Sequence, residues 1–314
     1  MPILTSTPQS PPVVSVLMPA FNAAQFIGES IKSVLAQTYP HFELLILDDG
    51  STDQTHAITT AFTDSRIRIL RHEQNQGLVV TRNALVNAAT GKYIAFLDAD
   101  DIAAPTRLAE QVALLEGGST DVCGTDHFTL YQATGRRKKS KQVHRDADIR
   151  AMMVVACPLC NPSVMGKAAV FKSHPYQSSV DVAEDYALWQ TISLAGYRFA
   201  NLKQNLLTYR VHDGQISQEK LAQTQAANIH SQERYLLGLE IPPHMRPRPL
   251  IWTDRLRTGP AFLWQLNKRI KGVSVKANYQ IYARFQKRGN RIWTIFTRLE
   301  RLLVALVASL RGHL

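Results

Sequence analysis

Cysteine is scarce in this sequence, which has three cysteines in 314 residues: Cys123, Cys157 and Cys160. Such a small number does not form the disulfide framework of a small secreted domain. Cys157 and Cys160 have the spacing of a metal-binding pair, but no second Cys/His pair lies at a zinc-finger distance. A zinc site or a redox role is therefore the less favoured interpretation of this pair.

Long apolar runs are also missing, since no uninterrupted stretch is long enough to span a bilayer. Residues 1–12 are rich in Pro, Ser and Thr and lack the basic and apolar regions of a secretory signal. We expect this segment to be disordered. These features predict a cytoplasmic protein whose membrane contact, where it has one, is peripheral and on the inner face of the cell membrane.

Acidic residues are outnumbered, with 25 Asp and Glu against 36 Lys and Arg, which gives a formal net charge of +11. Such an excess implies an anionic partner: nucleic acid, a phosphorylated substrate or an anionic membrane surface. The basic residues cluster in the run 135–141 and in an amphipathic pattern at 291–311. Nucleic-acid binding would need basic residues interleaved with exposed aromatic residues, so we expect no nucleic acid partner.

Each of these two basic clusters also has a second interpretation. The run 135–141 is typical of a solvated loop or hairpin tip, and the alternative is contact with an anionic acceptor or lipid. The pattern at 291–311 predicts a basic helix that lies on an anionic membrane. The alternative is a helix that packs on the catalytic domain or on a second subunit, and the oligomeric state stays open.

Short apolar runs alternate with helical patterns along the first hundred residues. Strands are predicted at 13–18, 42–47, 66–70 and 93–97, and helices at 24–37 and 78–89. This alternation predicts a doubly wound, mostly parallel α/β sheet flanked by helices. Beyond residue 125, a helix from Glu184 to about Leu194, a strand at 206–209 and a helix at 219–236 are expected, followed by a proline-rich connector at 241–260.

Polar turns follow three of the predicted strands. They are Pro19–Asn22, Asp48–Asp49 and Asp98–Asp101. Because ligands bind beyond the carboxyl ends of the strands in such sheets, we expect the three turns to converge on one edge.

The third turn carries three aspartates within four residues: Asp98, Asp100 and Asp101. A carboxylate cluster at the end of a buried strand is costly unless a positive charge offsets it. Mg²⁺ and Mn²⁺ prefer such oxygen ligands and are commonly held by one or two carboxylates plus substrate phosphates. The alternative is a solvated acidic turn that caps the next helix.

Four segments, taken in this order, resemble the family 2 glycosyltransferases of the GT-A fold over about residues 13–215. They are Val14–Asn22, Leu45–Asp53, the stretch from Asn75 through Arg82 to Asp101, and Glu184–Trp189. The fold that this resemblance implies is a GT-A sheet with a helical C-terminal extension. The activity that it implies is transfer of a sugar from a nucleotide-diphosphate sugar, for which UDP is the expected nucleotide.

The resemblance also implies a role for individual residues on the donor side. The turn Pro19, Ala20, Phe21 and Asn22 would lie against the base, Asp49 would accept a hydrogen bond from it, and Arg82, Asp98 and Arg210 would contact the ribose and diphosphate. Asp98 and Asp100 match the family's DxD motif and, with His212, would bind Mn²⁺ or Mg²⁺. The alternatives are helix capping for Asp48 and Asp49, a surface ion pair for Arg82 and a structural role for His212.

Glu184 and Asp185 resemble the family's ED motif, in which Asp185 would be the catalytic base and Glu184 would orient Asp185 or the acceptor. Taken alone, the pair is also typical of a helix N-terminus, where acidic residues are favoured. The segment Asn161–Ser163 lies where family members line the acceptor side.

The resemblance implies an inverting enzyme that acts on a cell-envelope glycan or a lipid-linked acceptor. The QxxRW motif of processive synthases is missing, which predicts transfer of a single sugar. We expect a catalytic domain at 13–240, with a nucleotide-binding half at 13–101 and an acceptor half at 102–240, and a basic helical region at 241–314. The competing hypotheses are a nucleotidyltransferase, disfavoured because no glycine-rich loop follows the first strand, and a non-catalytic basic protein that binds membrane or nucleic acid through its C-terminal region.

Overall fold

A computed structural model describes residues 13–177, 182–215, 221–241 and 252–287. The expected disordered segment 1–12, residues 242–251 of the expected connector and the amphipathic pattern at 291–311 lie outside the described residues. The described chain divides into two compact units. The first comprises residues 13–140, 161–175 and 204–211, and the second comprises the described parts of 141–160, 176–203 and 212–287.

Nine strands and ten helices are present in the described ranges. The strands are β1 (Val14–Ala20), β2 (Phe42–Asp48), β3 (Ile67–Arg71), β4 (Tyr93–Phe96), β5 (Ile102–Ala103), β6 (Val122–Tyr131), β7 (Arg136–Ser140), β8 (Met165–Lys167) and β9 (Phe199–Val211). The helices are α1 (Ile27–Leu35), α2 (Thr55–Thr60), α3 (Leu78–Ala88), α4 (Arg107–Glu116), α5 (Asp146–Met152), α6 (Ala168–Ser173), α7 (Glu184–Leu194), α8 (Leu221–Gly238), α9 (Trp252–Arg269) and α10 (Val275–Lys287).

The first unit is built on a single sheet with the strand order β3-β2-β1-β4-β8-β6-β9-β5, and β7 pairs with β6. Strands β3, β2, β1 and β4 are parallel, whereas β8 joins β4 in antiparallel orientation and the pairs β6–β8, β6–β7 and β5–β9 are also antiparallel. The predicted α/β sheet flanked by helices is confirmed.

The parallel strands are apolar almost throughout because helices cover both of their faces. All seven residues of β2 and all four of β4 are buried. Helix α1 buries the stripe Ile27, Ile31 and Val34. On the same helix, the Ser30 hydroxyl donates a hydrogen bond to the Ala99 carbonyl over 2.8 Å. This contact fixes the helix against the turn that follows β4.

A buried carboxylate joins the parallel strands to one another. Glu43 on β2 accepts hydrogen bonds from the Ser15 hydroxyl of β1 over 2.6 Å and from the Thr90 hydroxyl ahead of β4 over 2.7 Å. It also accepts one from Arg68 of β3 over 2.7 Å. Burial by itself raises the pKa of Glu43, but the hydrogen bonds from Ser15, Thr90 and Arg68 outweigh it and lower the pKa below 4.5.

The second unit is helical around the predicted helix α7, on which Trp189 and Tyr186 are fully buried. The Tyr186 hydroxyl donates to the Met153 carbonyl over 2.6 Å. Helix α8 packs on α7, where the Tyr235 and Ser193 hydroxyls lie 2.7 Å apart. Burial raises the pKa of Tyr235 to about 12.

Helix α9 corrects the expected connector, because this helix begins at Trp252 and continues past residue 260. The prolines had suggested irregular backbone for the whole segment. None of the helices in the described ranges combines the length and apolar character needed to cross a membrane.

Replacing Glu43 by Gln is expected to lower the free energy of unfolding by about 1.5–3 kcal/mol at neutral pH, because hydrogen bonds to a charged group are lost or weakened. The folded-state pKa of Glu43 is depressed, so its contribution is present above pH 4.5 and is lost as pH falls through the folded-state value. The difference between wild type and Glu43→Gln in urea unfolding should therefore shrink below pH 4.5. A difference that is constant with pH would contradict this account.

Candidate active site

The three polar turns predicted from the sequence meet at one edge of the sheet. Strands β2, β1 and β4 are adjacent and parallel, so their carboxyl ends lie together. Asn22 lies in the left-handed region with φ of 47°. Its side-chain oxygen accepts a hydrogen bond from the Thr52 backbone amide over 2.9 Å, and its backbone amide donates to the Ser51 hydroxyl over 3.0 Å. The predicted convergence of the three turns is confirmed. Phe21, in the first turn, is 46% exposed.

Asp49 is held in place by the loop that precedes α3. Its carboxylate accepts hydrogen bonds from the Gln76 amide over 3.0 Å and the Gly77 amide over 2.9 Å, and it lies 2.6 Å from Nδ1 of His72. The Asp49 amide donates to the Ala20 carbonyl over 2.8 Å, which fixes the turn after β2 to the end of β1. Contact between Asp49 and the nucleotide base stays a prediction.

Asp48 differs from Asp49 in its surroundings. It is fully buried, and one of its carboxylate oxygens accepts from the Ser51 amide over 2.9 Å. The other lies 3.3 Å from Nδ1 of His56 and 3.4 Å from Nε of Arg71. Asp48 therefore closes the turn after β2 and does not cap α2, because the N-cap of that helix is Gln54 without a side-chain cap hydrogen bond.

Arg82 and Asp98 form an ion pair with 3.2 Å between Nη2 and Oδ1. The Arg82 side chain is only 6% exposed and lies on α3, whereas Asp98 is 28% exposed at the end of β4. The pair is therefore not a surface ion pair. It brings two of the predicted donor-binding residues to the same edge of the sheet.

Asp101 is the buried member of the aspartate cluster, whereas Asp98 and Asp100 are partly exposed. One of its carboxylate oxygens accepts from the Arg210 amide over 2.8 Å, and the other accepts no hydrogen bond from any residue that the structure describes. Burial, followed by the charges of Asp100 and Asp98, raises the pKa of Asp101 well above its ordinary value. The surroundings of Asp101 therefore disfavour its ionised form.

Arg210, on β9, clamps the turn that carries this cluster. Its Nε donates to the Asp100 carbonyl over 2.7 Å, its Nη1 to the Gln132 side chain over 3.1 Å, and its Nη2 to the Glu29 carboxylate over 2.7 Å. The guanidinium also lies 4.8 Å from the centroid of the Phe26 ring. Arg210 is 4% exposed, so its contacts are those of a residue that positions the turn. Contact with a diphosphate stays a prediction.

The carboxylate oxygens of the cluster suit a divalent cation, but the described residues do not supply a complete set of ligands for one. One Asp101 oxygen lacks a hydrogen-bond partner in the described ranges, and the charges of Asp98 and Asp100 contribute to the raised pKa of Asp101. However, no group of three or more His, Cys, Asp and Glu side chains in the described ranges forms a ready-made metal site. This is the situation in which a Mg²⁺-like ion takes its remaining ligands from substrate phosphates and water.

Glu184 and Asp185 begin α7 in the second unit. Glu184 is buried, Asp185 is half-buried, and the preceding Ala183 adopts a left-handed conformation with φ of 60°. Burial, and then the charge of Asp185, raises the pKa of the Cys157 thiol well above its ordinary value. Cys157 is thus held as a neutral thiol within electrostatic range of Asp185, which does not favour a zinc or redox role for it.

His212 also belongs to the second unit, where its Nδ1 lies 2.6 Å from the Asp213 carbonyl oxygen. A proton on Nδ1 suits that contact. The roles of His212, Glu184 and Asp185 stay predictions.

Asn161 opens a short 3₁₀ turn, Asn161–Ser163, in the first unit. The side chain is 6% exposed, and neither its amide nitrogen nor its amide oxygen has a hydrogen-bond partner among the described residues. Burial of an amide without hydrogen-bond partners is unfavourable. Such an amide is expected where a bound ligand supplies the missing hydrogen bonds.

Sequence reasoning missed the residues that support the site. His72 contacts Asp49, while Glu29 and Gln132 contact Arg210. His72 could have been found, because it follows β3 as the other polar turns follow their strands. No local pattern marks Glu29 or Gln132, whose partner lies 181 and 78 residues further along the chain.

The chain is similar in sequence to known proteins. The profile of Glycosyl transferase family 2 matches residues 15–176. An uncharacterized glycosyltransferase of Haemophilus influenzae is 33% identical over 228 residues, which are 66% of this chain and 68% of the relative. The Escherichia coli UDP-Glc:alpha-D-GlcNAc-diphosphoundecaprenol beta-1,3-glucosyltransferase WfaP is 29% identical over 237 residues, which are 74% of this chain and 89% of the relative.

Two solved structures share the fold. Staphylococcus aureus TarS 1-349, in complex with UDP-GlcNAc, superposes with a TM-score of 0.57 at 15% identity over 94% of this chain and 90% of that chain. The mannosyltransferase PcManGT of Pyrobaculum calidifontis, in complex with GDP-Man and Mn²⁺, gives a TM-score of 0.54 at 18% identity over 96% of this chain and 88% of that chain. At these identities the likeness concerns the fold.

The sheet, the polar edge beyond β1, β2 and β4 and the two solved structures define the fold as GT-A. The family follows from the profile match, which covers more than half of the residues. The chain belongs to glycosyl transferase family 2, and the alternative of a non-catalytic basic protein is set aside.

Replacing Arg210 by Gln is expected to lower the free energy of unfolding by about 2–4 kcal/mol, because the contacts to Asp100 and Glu29 are lost together. Glu29→Gln is the matched control. It removes one partner of the same guanidinium at a carboxylate that is 59% exposed, and it should cost less than about 1 kcal/mol. Urea unfolding of both variants tests the clamp. Equal losses in the two variants would contradict it.

Proposed function

We propose that this enzyme is a metal-dependent, inverting glycosyltransferase that moves a single sugar from a nucleotide-diphosphate sugar, with UDP as the nucleotide, to a hydroxyl of a lipid-linked or cell-envelope glycan. The observation that carries the proposal is the aspartate cluster at the end of β4, with its buried Asp101, one oxygen of which accepts no hydrogen bond in the described ranges. This cluster lies at the sheet edge where α/β folds bind their ligands.

On the donor side, the turn Pro19, Ala20, Phe21 and Asn22 would lie against the base, and Asp49 would accept from it. The Asp49 carboxylate already accepts hydrogen bonds from two backbone amides, which orient it. Its oxygens keep a lone pair that could accept a further hydrogen bond from the nucleotide base. UDP as the nucleotide is supported by the UDP-Glc of the WfaP name and by the UDP-GlcNAc complex of TarS.

Arg82, Asp98 and Arg210 would face the ribose and diphosphate, and Asp98, Asp100 and His212 would hold Mn²⁺ or Mg²⁺. When bound, such a cation neutralises negative charge on the leaving nucleoside diphosphate. The Mn²⁺ in the PcManGT complex supports this assignment. Arg82 would keep Asp98 in place through the ion pair at 3.2 Å.

On the acceptor side, Asp185 would take the proton of the acceptor hydroxyl as the hydroxyl oxygen attacks the anomeric carbon. The bond from that carbon to the diphosphate oxygen breaks at the opposite face, so the configuration inverts. Glu184, which is buried at the same helix start, would orient Asp185 or the acceptor. The raised pKa of Cys157 keeps that neighbour uncharged beside the base.

The acceptor would be a glycan on a lipid diphosphate, by analogy with the diphosphoundecaprenol of the WfaP name. Asn161 would contact this acceptor, because its amide is buried and lacks partners in the described part of the chain. An acceptor of this kind places the enzyme at the inner face of a membrane, as a peripheral protein.

Variants of the two acidic motifs should separate donor binding from transfer. Asp100→Ala is expected to abolish Mn²⁺-dependent binding of a UDP-sugar, whereas Asp185→Asn should keep that binding and lose about 10²–10⁴-fold in transfer. Calorimetry with a panel of nucleotide sugars and release of nucleoside diphosphate measure the two effects. Asp64→Asn, in the turn before β3, is the matched control.

Two results would contradict the proposal. One is failure of the wild-type enzyme to bind any nucleotide sugar with Mn²⁺ present. The other is full transfer by Asp185→Asn. Binding and transfer that persist with a chelator would exclude the metal while leaving the donor and base assignments in place.

Asn161→Leu should make the protein more stable and less active. Removal of a buried amide without partners is expected to raise the free energy of unfolding by about 1 kcal/mol, and loss of the acceptor contact should raise the KM for acceptor. Thermal unfolding and initial rates at varied acceptor concentration measure both effects. A destabilised variant with unchanged KM would show that Asn161 is structural.

A further inference from the structure

The strands β6 and β7 form a hairpin whose second strand is strongly basic, and we define Phe128–Lys139 as the basic hairpin. Arg136, Arg137, Lys138 and Lys139 follow one another on β7, and all four are exposed. None of them forms an ion pair with any residue in the described ranges.

The strand geometry makes this arrangement self-repelling. Side chains two residues apart lie on the same face of a strand at about 7 Å, within the Debye length of about 8 Å at physiological salt. Arg136 and Lys138 share one face, and Arg137 and Lys139 share the other. Charges on an edge strand discourage pairing with another chain. Four consecutive cations are more than are needed to prevent such pairing, and binding of an external anion would relieve their repulsion.

Aromatic side chains stand beside the cations on both faces of the hairpin. The Arg137 guanidinium lies 3.7 Å from the centroid of the Phe128 ring, and the Arg136 guanidinium lies 5.8 Å from that of Tyr131. Both rings are half-buried, and Arg137 covers one face of Phe128. Arg137 thus occupies a face of Phe128 on which a nucleic-acid base would stack. Half-buried aromatic residues next to basic ones suit the headgroup region of a bilayer.

The basic hairpin is joined to the aspartate cluster. Gln132, in its turn, accepts from Nη1 of Arg210 over 3.1 Å, and Nε of the same arginine donates to the Asp100 carbonyl over 2.7 Å. A single side chain therefore connects the turn of the hairpin with the candidate cation site of the same unit.

We propose that the basic hairpin docks the enzyme on an anionic phospholipid bilayer, so that the candidate donor site is presented to an acceptor held in that membrane. The proposal rests on the proposed function for its choice of a lipid surface. The interaction is electrostatic, weakens with salt and does not depend on the nucleotide sugar.

Flotation of the full chain with vesicles tests the docking surface. Phosphatidylcholine vesicles that contain phosphatidylglycerol should retain the protein, and pure phosphatidylcholine vesicles should not. Lys138→Gln with Lys139→Gln should weaken retention about fivefold for each side chain, or about thirtyfold in all. Lys32→Gln with Lys203→Gln removes the same charge from two other exposed positions and should change retention less than twofold.

Three outcomes would overturn the proposal. The first is that anionic vesicles retain the hairpin variant as well as the wild type. The second is that the control variant loses as much vesicle retention as the hairpin variant. The third is that the wild type binds duplex DNA more tightly than anionic vesicles at the same salt concentration. UDP-sugar binding without vesicles is measured separately, because neither hairpin lysine belongs to the candidate donor site. Lost vesicle binding with intact donor binding therefore tests the docking surface alone.

Discussion

The constraint on which the site depends is the concentration of carboxylates at the end of β4. A buried carboxylate beside two others is unfavourable in its charged form, and the pKa of Asp101 is raised for this reason. The fold tolerates the cluster because Arg210 supplies a backbone amide to Asp101 and a guanidinium to the Asp100 carbonyl. A purely structural turn could avoid this cost with neutral residues, which favours a role in binding over a role in folding.

The sheet order brings the other donor-side residues to the same place. Because β2, β1 and β4 are parallel neighbours, the turns after them share one edge, and contacts such as Asp49 to Ala20 and Ser30 to Ala99 fix each turn to the next element. The network around Glu43 ties the same strands together at their opposite ends. The edge is therefore rigid at its base, and its polar side chains are held by backbone groups.

The sequence predicted the strands and their polar turns because buried parallel strands are short apolar runs that end abruptly, a local signal. It also predicted α7 with its two acidic residues. It did not reveal which aspartate is buried, the loop amides that hold Asp49, or the partners of Arg210. Arg210 is 110 residues from Asp100, and contacts at such a distance along the chain leave no periodic trace. Helix α9 was missed because prolines near its start suggested irregular backbone.

The contacts of the cluster differ from one aspartate to the next. Arg82 pairs with Asp98, and Arg210 pairs with Glu29 and donates to the Asp100 carbonyl. Asp101 accepts a hydrogen bond from the Arg210 backbone amide. The raised pKa of Asp101 favours a proton on its carboxyl group, whereas a divalent cation bound beside it would favour the ionised form. A diphosphate bound at the same edge would add further negative charge, which a cation between the diphosphate and the carboxylates would offset.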